Sequence, residues 1–360
     1  MRLVLLASAR SVHTRKWYSQ LRKAGVDVHL ITAAPFRDDS VEQIVVETGI
    51  FGKLGYIVNA GKVRRLIRDM EPDIVHAYYA SGYGWWGARS RCHPLLVSVW
   101  GSDITVDAQR SCGVRQSTKY ALNRADVICA TSRYLADSTL GLFPNVAPKV
   151  KLLPFGVDMN LFTTLPVRRF EKVSLVFGAA KFLGHVYGFD LLLHAFRDVL
   201  TSLPAARLKI AGDGPAYRDL VDLSRSLGLS DSVEFLGYVP QEHMPAFLNS
   251  IDIFVMPSRE EAFGVSAVEA LACGVPVIGS RVGGIVEVLN HGDCGILVDS
   301  ENVKALLDAM LSLAGDHEMR MRLSEKGREH VVANYDIGEC TSMQIDIYEK
   351  LLAGGYSNRK

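Results

Sequence analysis

At 360 residues, with 48% hydrophobic and 22% charged side chains, the chain has the composition of an ordinary globular protein with room for two domains. Its net charge of +1 hides an asymmetry: residues 1–160 carry 21 basic and 13 acidic side chains, a net +8, and residues 161–360 carry 19 and 26, a net −7. Six scattered cysteines without a C-x-x-C pair exclude a readable disulfide framework or cysteine zinc site and fit a reducing compartment.

Taken in chain order, MRLVLLASAR imitates a signal peptide, but its apolar run from Leu3 to Ala7 is shorter than the roughly 7–15 residues such a segment needs. It reads instead as a first strand over 2–7. Further short apolar runs follow at 28–31, 74–77, 95–99 and 127–130, and then at 175–178, 208–212, 233–236, 253–256, 275–279 and 295–298. Their apolar character is continuous rather than alternating, and amphipathic segments separate them, so they predict parallel sheets covered by helices on both faces. The pattern occurs twice. The fold class is therefore α/β with two doubly wound, Rossmann-like domains. Turn residues in PFGVD at 154–158 and Pro166 mark the break, giving a first domain over 1–165 and a second over 166–336. A last amphipathic helix and a polar tail occupy 337–360. No apolar run approaches the ~20 residues of a membrane span, and a cytoplasmic location is expected.

Several chemistries are disfavoured. Strand one leads into ARSVHTRK, which lacks the G-x-G-x-x-G of a dinucleotide site, and no G-x-x-x-x-G-K-[ST] loop occurs. No two aspartates stand two apart, which argues against an Asp-x-Asp metal clamp, so no metal and no cofactor are expected. No nucleic-acid partner is expected either.

The informative stretch is REEAFGVSAVEALACG at 259–274. A strand ends before it, Glu261 lies in a loop, and a helix begins near Gly264. Free amides at a helix start suit a phosphate, and glycine there removes the side chain that would hold a ligand away. Glu269 falls within an apolar helix, where a carboxylate needs donors. Ribose hydroxyls would serve, and so would a cap from Ser266 or a neighbouring backbone group.

The runs FVMPS at 254–258, EAFG at 261–264, EALACGVPV at 269–277 and VGGIVE at 282–287 together resemble the core of family 4 retaining glycosyltransferases, two-domain GT-B enzymes with a Glu, seven residues, then a Glu. AGDGP at 211–215, FLGYV at 235–239 and PFGVD extend the likeness. It implies a cleft between two facing domains and a hexose moved, with retention, from a nucleotide-diphosphate sugar, a uridine donor being favoured. Glu261 would contact the hexose as a catalytic group. The amides of Phe263, Gly264 and Val265 would hold the diphosphate, Glu269 the ribose, and the backbone of Tyr238 and Val239 the base. The resemblance also implies that the departing phosphate takes the acceptor's proton, and that the acceptor is a glycan or lipid-linked saccharide. DIVH at 73–76 and SVWGSD at 98–103 would supply strand ends facing the cleft.

Departures from the family pattern are specific. Where relatives carry an Arg and, six residues on, a Lys, this chain has Lys181 and Tyr187, so one diphosphate cation is missing. Trp100 stands where relatives often have His, for packing or sugar stacking. Asp103 then becomes the acceptor-side catalytic carboxylate, or else a cap for the following helix. His13 is a further candidate contact for donor or acceptor. The segment KVRRLIR at 62–68, after LGYIV, reads either as a solvated helix face or as an amphipathic basic helix on an anionic membrane surface. Two alternatives share the architecture: a nucleotide-sugar epimerase, and a non-catalytic sugar-nucleotide or glycan-binding module.

Overall fold

The computed structural model describes residues 1–36, 41–164 and 174–354. The chain forms two units, Met1–Gly156 with Ile337–Lys360, and Val157–Asp336. The expected boundary at 165/166 and the end of the expected tail, 355–360, lie outside the described residues.

The first unit is built on strands β1 (Arg2–Leu6), β2 (Asp27–Thr32), β3 (Gln43–Val45), β4 (Ile74–Tyr78), β5 (Leu95–Val99), β6 (Val127–Ala130) and β7 (Val150–Leu152). They form one parallel sheet in the order β3-β2-β1-β4-β5-β6-β7. β4 and β5 are buried along their whole length, which is why their sequences are apolar without alternation. Successive side chains of β1 still serve opposite faces: Leu3 and Leu5 enter one core, Val4 and Leu6 another. The first of these cores also contains Cys340, Ile347 and Tyr348 from the C-terminal helix Ile337–Leu352.

That helix is held by a buried polar network. His76, in the middle of β4, has Nδ1 2.7 Å from the Tyr348 hydroxyl and Nε2 2.8 Å from Ser98 Oγ. Gln344 Nε2 donates to the hydroxyls of Tyr78 (3.2 Å) and Tyr348. Burial pushes the His76 pKa down to about 3, so the ring is neutral. This corrects one expectation: His76 is interior, and Asp73 precedes β4, where its Oδ2 accepts from the Arg2 amide at 2.7 Å. Neither lies at the carboxyl end of a strand.

The second unit contains β8 (Val176–Ala180), β9 (Arg207–Ala211), β10 (Val233–Gly237), β11 (Ile253–Met256), β12 (Val277–Ser280) and β13 (Ile296–Val298), in the order β10-β9-β8-β11-β12-β13 and again parallel. All eleven expected strands are present; β3 and β7 are additional three-residue edge strands. Strand order reverses between β1 and β4 in one sheet and between β8 and β11 in the other. In such sheets, ligands bind beyond the carboxyl ends of the strands at that reversal.

Candidate functional site

Two loops leave the reversal point of the second sheet, and they bring together residues 80 apart in sequence. Lys181 follows β8 directly, and its Nζ lies 2.5 Å from Glu261 Oε2, in the loop after β11. Glu261 is 9% exposed and the Lys181 side chain 21%, so solvent screens the pair only weakly. Lys181 Nζ also lies 4.9 Å from the centre of the Tyr187 ring. The Tyr187 ring thus presents its face to the Lys181 ammonium. Burial raises the Tyr187 pKa, so the phenol is neutral.

The Lys181 loop has a tight seat. Leu183 N donates to Asp213 O at 2.9 Å and Lys181 N to Ala211 O at 3.0 Å. Gly212 has φ +147°, and a Cβ there would stand 1.8 Å from the Lys181 carbonyl oxygen. The glycines of GDGP therefore carry a specific burden, where sequence alone suggested a turn. On the other side, Arg259 makes a two-pronged contact with Asp190 (2.9 and 2.7 Å), and its Nε reaches Glu301 at 2.8 Å. The Asp190 partner raises the Arg259 pKa further, and this cation is committed to holding the loop.

Three residues past Glu261, Gly264 takes φ +105° and opens the helix Val265–Ala272. A side chain at Gly264 would meet only ordinary contacts, so backbone conformation is what selects glycine. The helix's first bond of the i→i−4 kind runs from Val268 N to Gly264 O at 3.2 Å. The amides of Gly264, Val265 and Ser266 precede it, at the positive end of the helix. Phe263 itself is buried, its ring edge-on to Tyr335 at 5.5 Å.

Glu269 is buried, 6% exposed, in the middle of this helix. Gln241 Nε2 donates to its Oε1 at 2.7 Å. Ser266 is not its cap: that hydroxyl points to Met256 Sδ at 3.9 Å. Gln241 was missed by sequence reasoning, although it stands two residues past Val239 in the loop already expected to hold a base. Tyr238 is 66% exposed at the end of β10, and Val239 is half-buried. The Gln241–Glu269 bond therefore ties the 238–241 loop to the helix bearing the second glutamate. Lys181, Glu261, Gly264, Val265, Glu269, Tyr238 and Val239 all lie on loops or helix turns of this one unit.

In the first unit, His13 sits in the first turn of helix Val12–Lys23, stacked on Phe155 at 4.5 Å. Trp100, just after β5, packs against Tyr78 at 4.6 Å, Phe155 at 5.2 Å and, edge-on, His13 at 6.1 Å. Asp103 does not reach this surface. It is fully buried; Oδ2 accepts from Ala80 N at 2.8 Å, and Oδ1 from Trp100 N and Gly101 N at 3.1 and 2.9 Å. Burial raises its pKa against the pull of those amides. A carboxylate spent in this way clamps the loops after β4 and β5 together, which is the geometry of a positioning group rather than of a group that meets a reacting atom. The basic segment forms part of the helix Ala60–Met70, with Lys62, Arg64 and Arg65 exposed, and Leu54, Ile57 and Val58 are exposed just before it.

No helix of the described residues is long and apolar enough to cross a membrane. The model of group 1 glycosyl transferases matches residues 168–330, and that of 4-like glycosyl transferases matches residues 2–132. An N-acetyl-alpha-D-glucosaminyl L-malate synthase of Bacillus anthracis is 28% identical, covering 92% of this chain and 91% of its own length. Among solved structures, a sucrose-phosphate synthase of Thermosynechococcus elongatus superposes with a TM-score of 0.85 at 21% identity, covering 98% of this chain and all of the other. An Anabaena protein solved with UDP and glucose gives 0.81 at 20% identity, covering 98% of this chain and 100% of its own. These likenesses are to the GT-B fold.

Proposed function

The chain belongs to the family 4 glycosyltransferases, and from that premise we propose that it is a retaining, metal-independent hexosyltransferase using a nucleotide-diphosphate sugar. The observation that carries this reading is the convergence of the Lys181–Glu261 pair and the Gly264 helix start beyond β8 and β11. A diphosphate placed at that helix start meets amide donors, the helix dipole and the Lys181 ammonium. Glu261 keeps one oxygen on Lys181 and offers the other to hexose hydroxyls. Glu269, oriented by Gln241, accepts from the ribose hydroxyls, and the 238–239 backbone meets the base.

In the transfer step, the bond between the anomeric carbon and the diphosphate oxygen breaks. A bond from the acceptor oxygen to the same face of that carbon forms, and the acceptor's proton passes to the departing diphosphate. No side-chain base is required. The protein contributes position and charge stabilisation of the leaving group. Asp103 acts at a distance by fixing the loops that carry Trp100 and Ala80.

Uridine is the favoured base, a choice supported by the neighbour solved with UDP. The acceptor in this reading is a glycan or lipid-linked saccharide, presented at the cytoplasmic membrane face. Exposed Leu54, Ile57 and Val58 beside Lys62, Arg64 and Arg65 support a peripheral contact with anionic lipid. A thermal-shift screen of UDP, GDP and ADP sugars tests the donor assignment. A selective shift with the UDP series is expected, and no shift with any nucleotide sugar would overturn the reading.

A further inference from the structure

The first unit contains a cavity of about 860 Å³, within the size range of small-molecule sites. Loops following β1, β4 and β5 line it, together with the segment 48–57 and the helix Cys112–Arg124. Its walls are rings and hydrocarbon: Tyr56, Tyr83, Trp85, Trp100, Ile57 and Val114. The polar groups in the lining are chiefly the hydroxyls of Ser8, Ser11, Thr48, Ser81 and Ser117. Among the described residues of the lining, Asp107 is the one carboxylate.

Two further observations bear on what fits. Leu54 and Ile57 line the cavity and are themselves 63% and 55% exposed, so apolar surface continues from the wall out to solvent. Tyr79, also in the lining, is held at φ +82°, a conformation unfavourable for an aromatic residue. Its amide donates to Ser98 O at 2.9 Å, and its hydroxyl is bonded to Ser102 Oγ. Strain sustained by surrounding bonds is typical of binding sites, where it fixes a wall in advance of the ligand.

We propose that this cavity receives the acceptor, and that the acceptor is an alcohol bearing a hydrocarbon chain or aromatic ring that packs against the ring walls. The inference rests on the transferase reading above and narrows its substrate class. A hydrocarbon chain gains from every methylene it buries against the ring walls. The serine and threonine hydroxyls suffice to orient the acceptor's own hydroxyl.

The test uses the full chain and n-hexyl, n-octyl and n-decyl β-D-glucosides below their micellar concentrations, followed by tryptophan fluorescence from Trp85 and Trp100 and by thermal shift. D-glucose, L-malate and inorganic phosphate serve as comparators, and UDP is titrated in parallel. Saturable binding that tightens roughly three- to fourfold per methylene is expected, the increment of burying a CH₂ group. Val114→Arg should weaken it at least about tenfold while leaving the UDP shift in place. Ile57→Glu, at an exposed position, is a second variant that does not threaten folding, and it should weaken the longer chains more than the shorter. Tighter binding of malate or phosphate than of any alkyl glucoside, affinity independent of chain length, or indifference to both substitutions would each overturn the proposal. If UDP binds and the glucosides do not, the acceptor class alone fails; if UDP gives no shift either, the transferase reading fails with it.

Discussion

Beyond β8 and β11 the cations are matched by acids: Lys181 by Glu261 at 2.5 Å, and Arg259 by Asp190 and Glu301. Beyond β1, β4 and β5 of the other sheet the corresponding positions hold rings, and the carboxylate of Asp103 is withdrawn onto backbone amides. Two sheets of the same class thus present opposite surfaces at equivalent ends. In the proposed reading a phosphate at this end would have to share Lys181 with Glu261, and the remaining charge would fall to the amide donors of the helix start. Ring walls suit a partner recognised by shape and apolar area.

The largest expected effect that separates the two surfaces comes from Gly212→Ala. Its Cβ would meet backbone 1.8 Å away at a left-handed φ, so the Lys181 loop must move. A loss of about 2–4 kcal/mol is expected, with UDP binding abolished and alkyl-glucoside binding retained in calorimetric titrations. Loss of both would mean that the two surfaces are not independent. Next comes Glu261→Gln, which removes a charge-assisted bond; kcat should fall roughly 10- to 100-fold with a smaller change in UDP affinity, measured by steady-state kinetics beside titration. The reverse split would remove Glu261 from contact with the sugar.

Glu269→Ala should weaken UDP about tenfold, the cost of one hydrogen-bonded carboxylate, and leave the cavity's ligands untouched. Unchanged UDP affinity would sink the ribose assignment. A further effect is a pH slope to which His76 contributes from the first unit, and to which His330 of the second, its pKa also lowered by burial, contributes in the same direction. The folded pKa of His76 is depressed to about 3, whereas the unfolded chain protonates near 6.5, so between those values the unfolded state binds more protons. The contribution is complete above about pH 6.5 and declines by up to about 1.4 kcal/mol for each unit that pH falls below it. His76→Gln should flatten that slope in thermal unfolding between pH 7 and 5. An unaltered slope would place the titrating group elsewhere.

How much of this was legible depended on whether a signal is local. The eleven strands were readable because a doubly buried strand must be apolar throughout. β3 and β7 were not, because three partly exposed residues at a sheet edge leave no such run. Glu261, Gly264 and Glu269 stood out as charge and glycine inside an apolar helix start. The partners of the two glutamates did not: Lys181 is 80 residues away and Gln241 is a lone amide in a loop, and only the fold brings them within 3 Å. Asp103 shows the opposite error. A carboxylate after a strand looked available in sequence, yet three backbone amides consume it. The cavity was invisible for the same reason as the Lys181–Glu261 pairing: its lining comes from segments scattered over about a hundred residues, none with a period of its own.

The return of the helix Ile337–Leu352 into the core of the first sheet has a consequence for how the protein can be divided. The second unit is an insert, entered at Val157 and left at Asp336, where an isolated bridge joins the two ends. A fragment ending at Gly156 would expose the side of β4 that Tyr348 and Gln344 cover, with His76 and Tyr78 left without those polar partners. The separable piece is therefore the middle of the chain, and its removal with a short splice between 156 and 337 is the route to an isolated first unit.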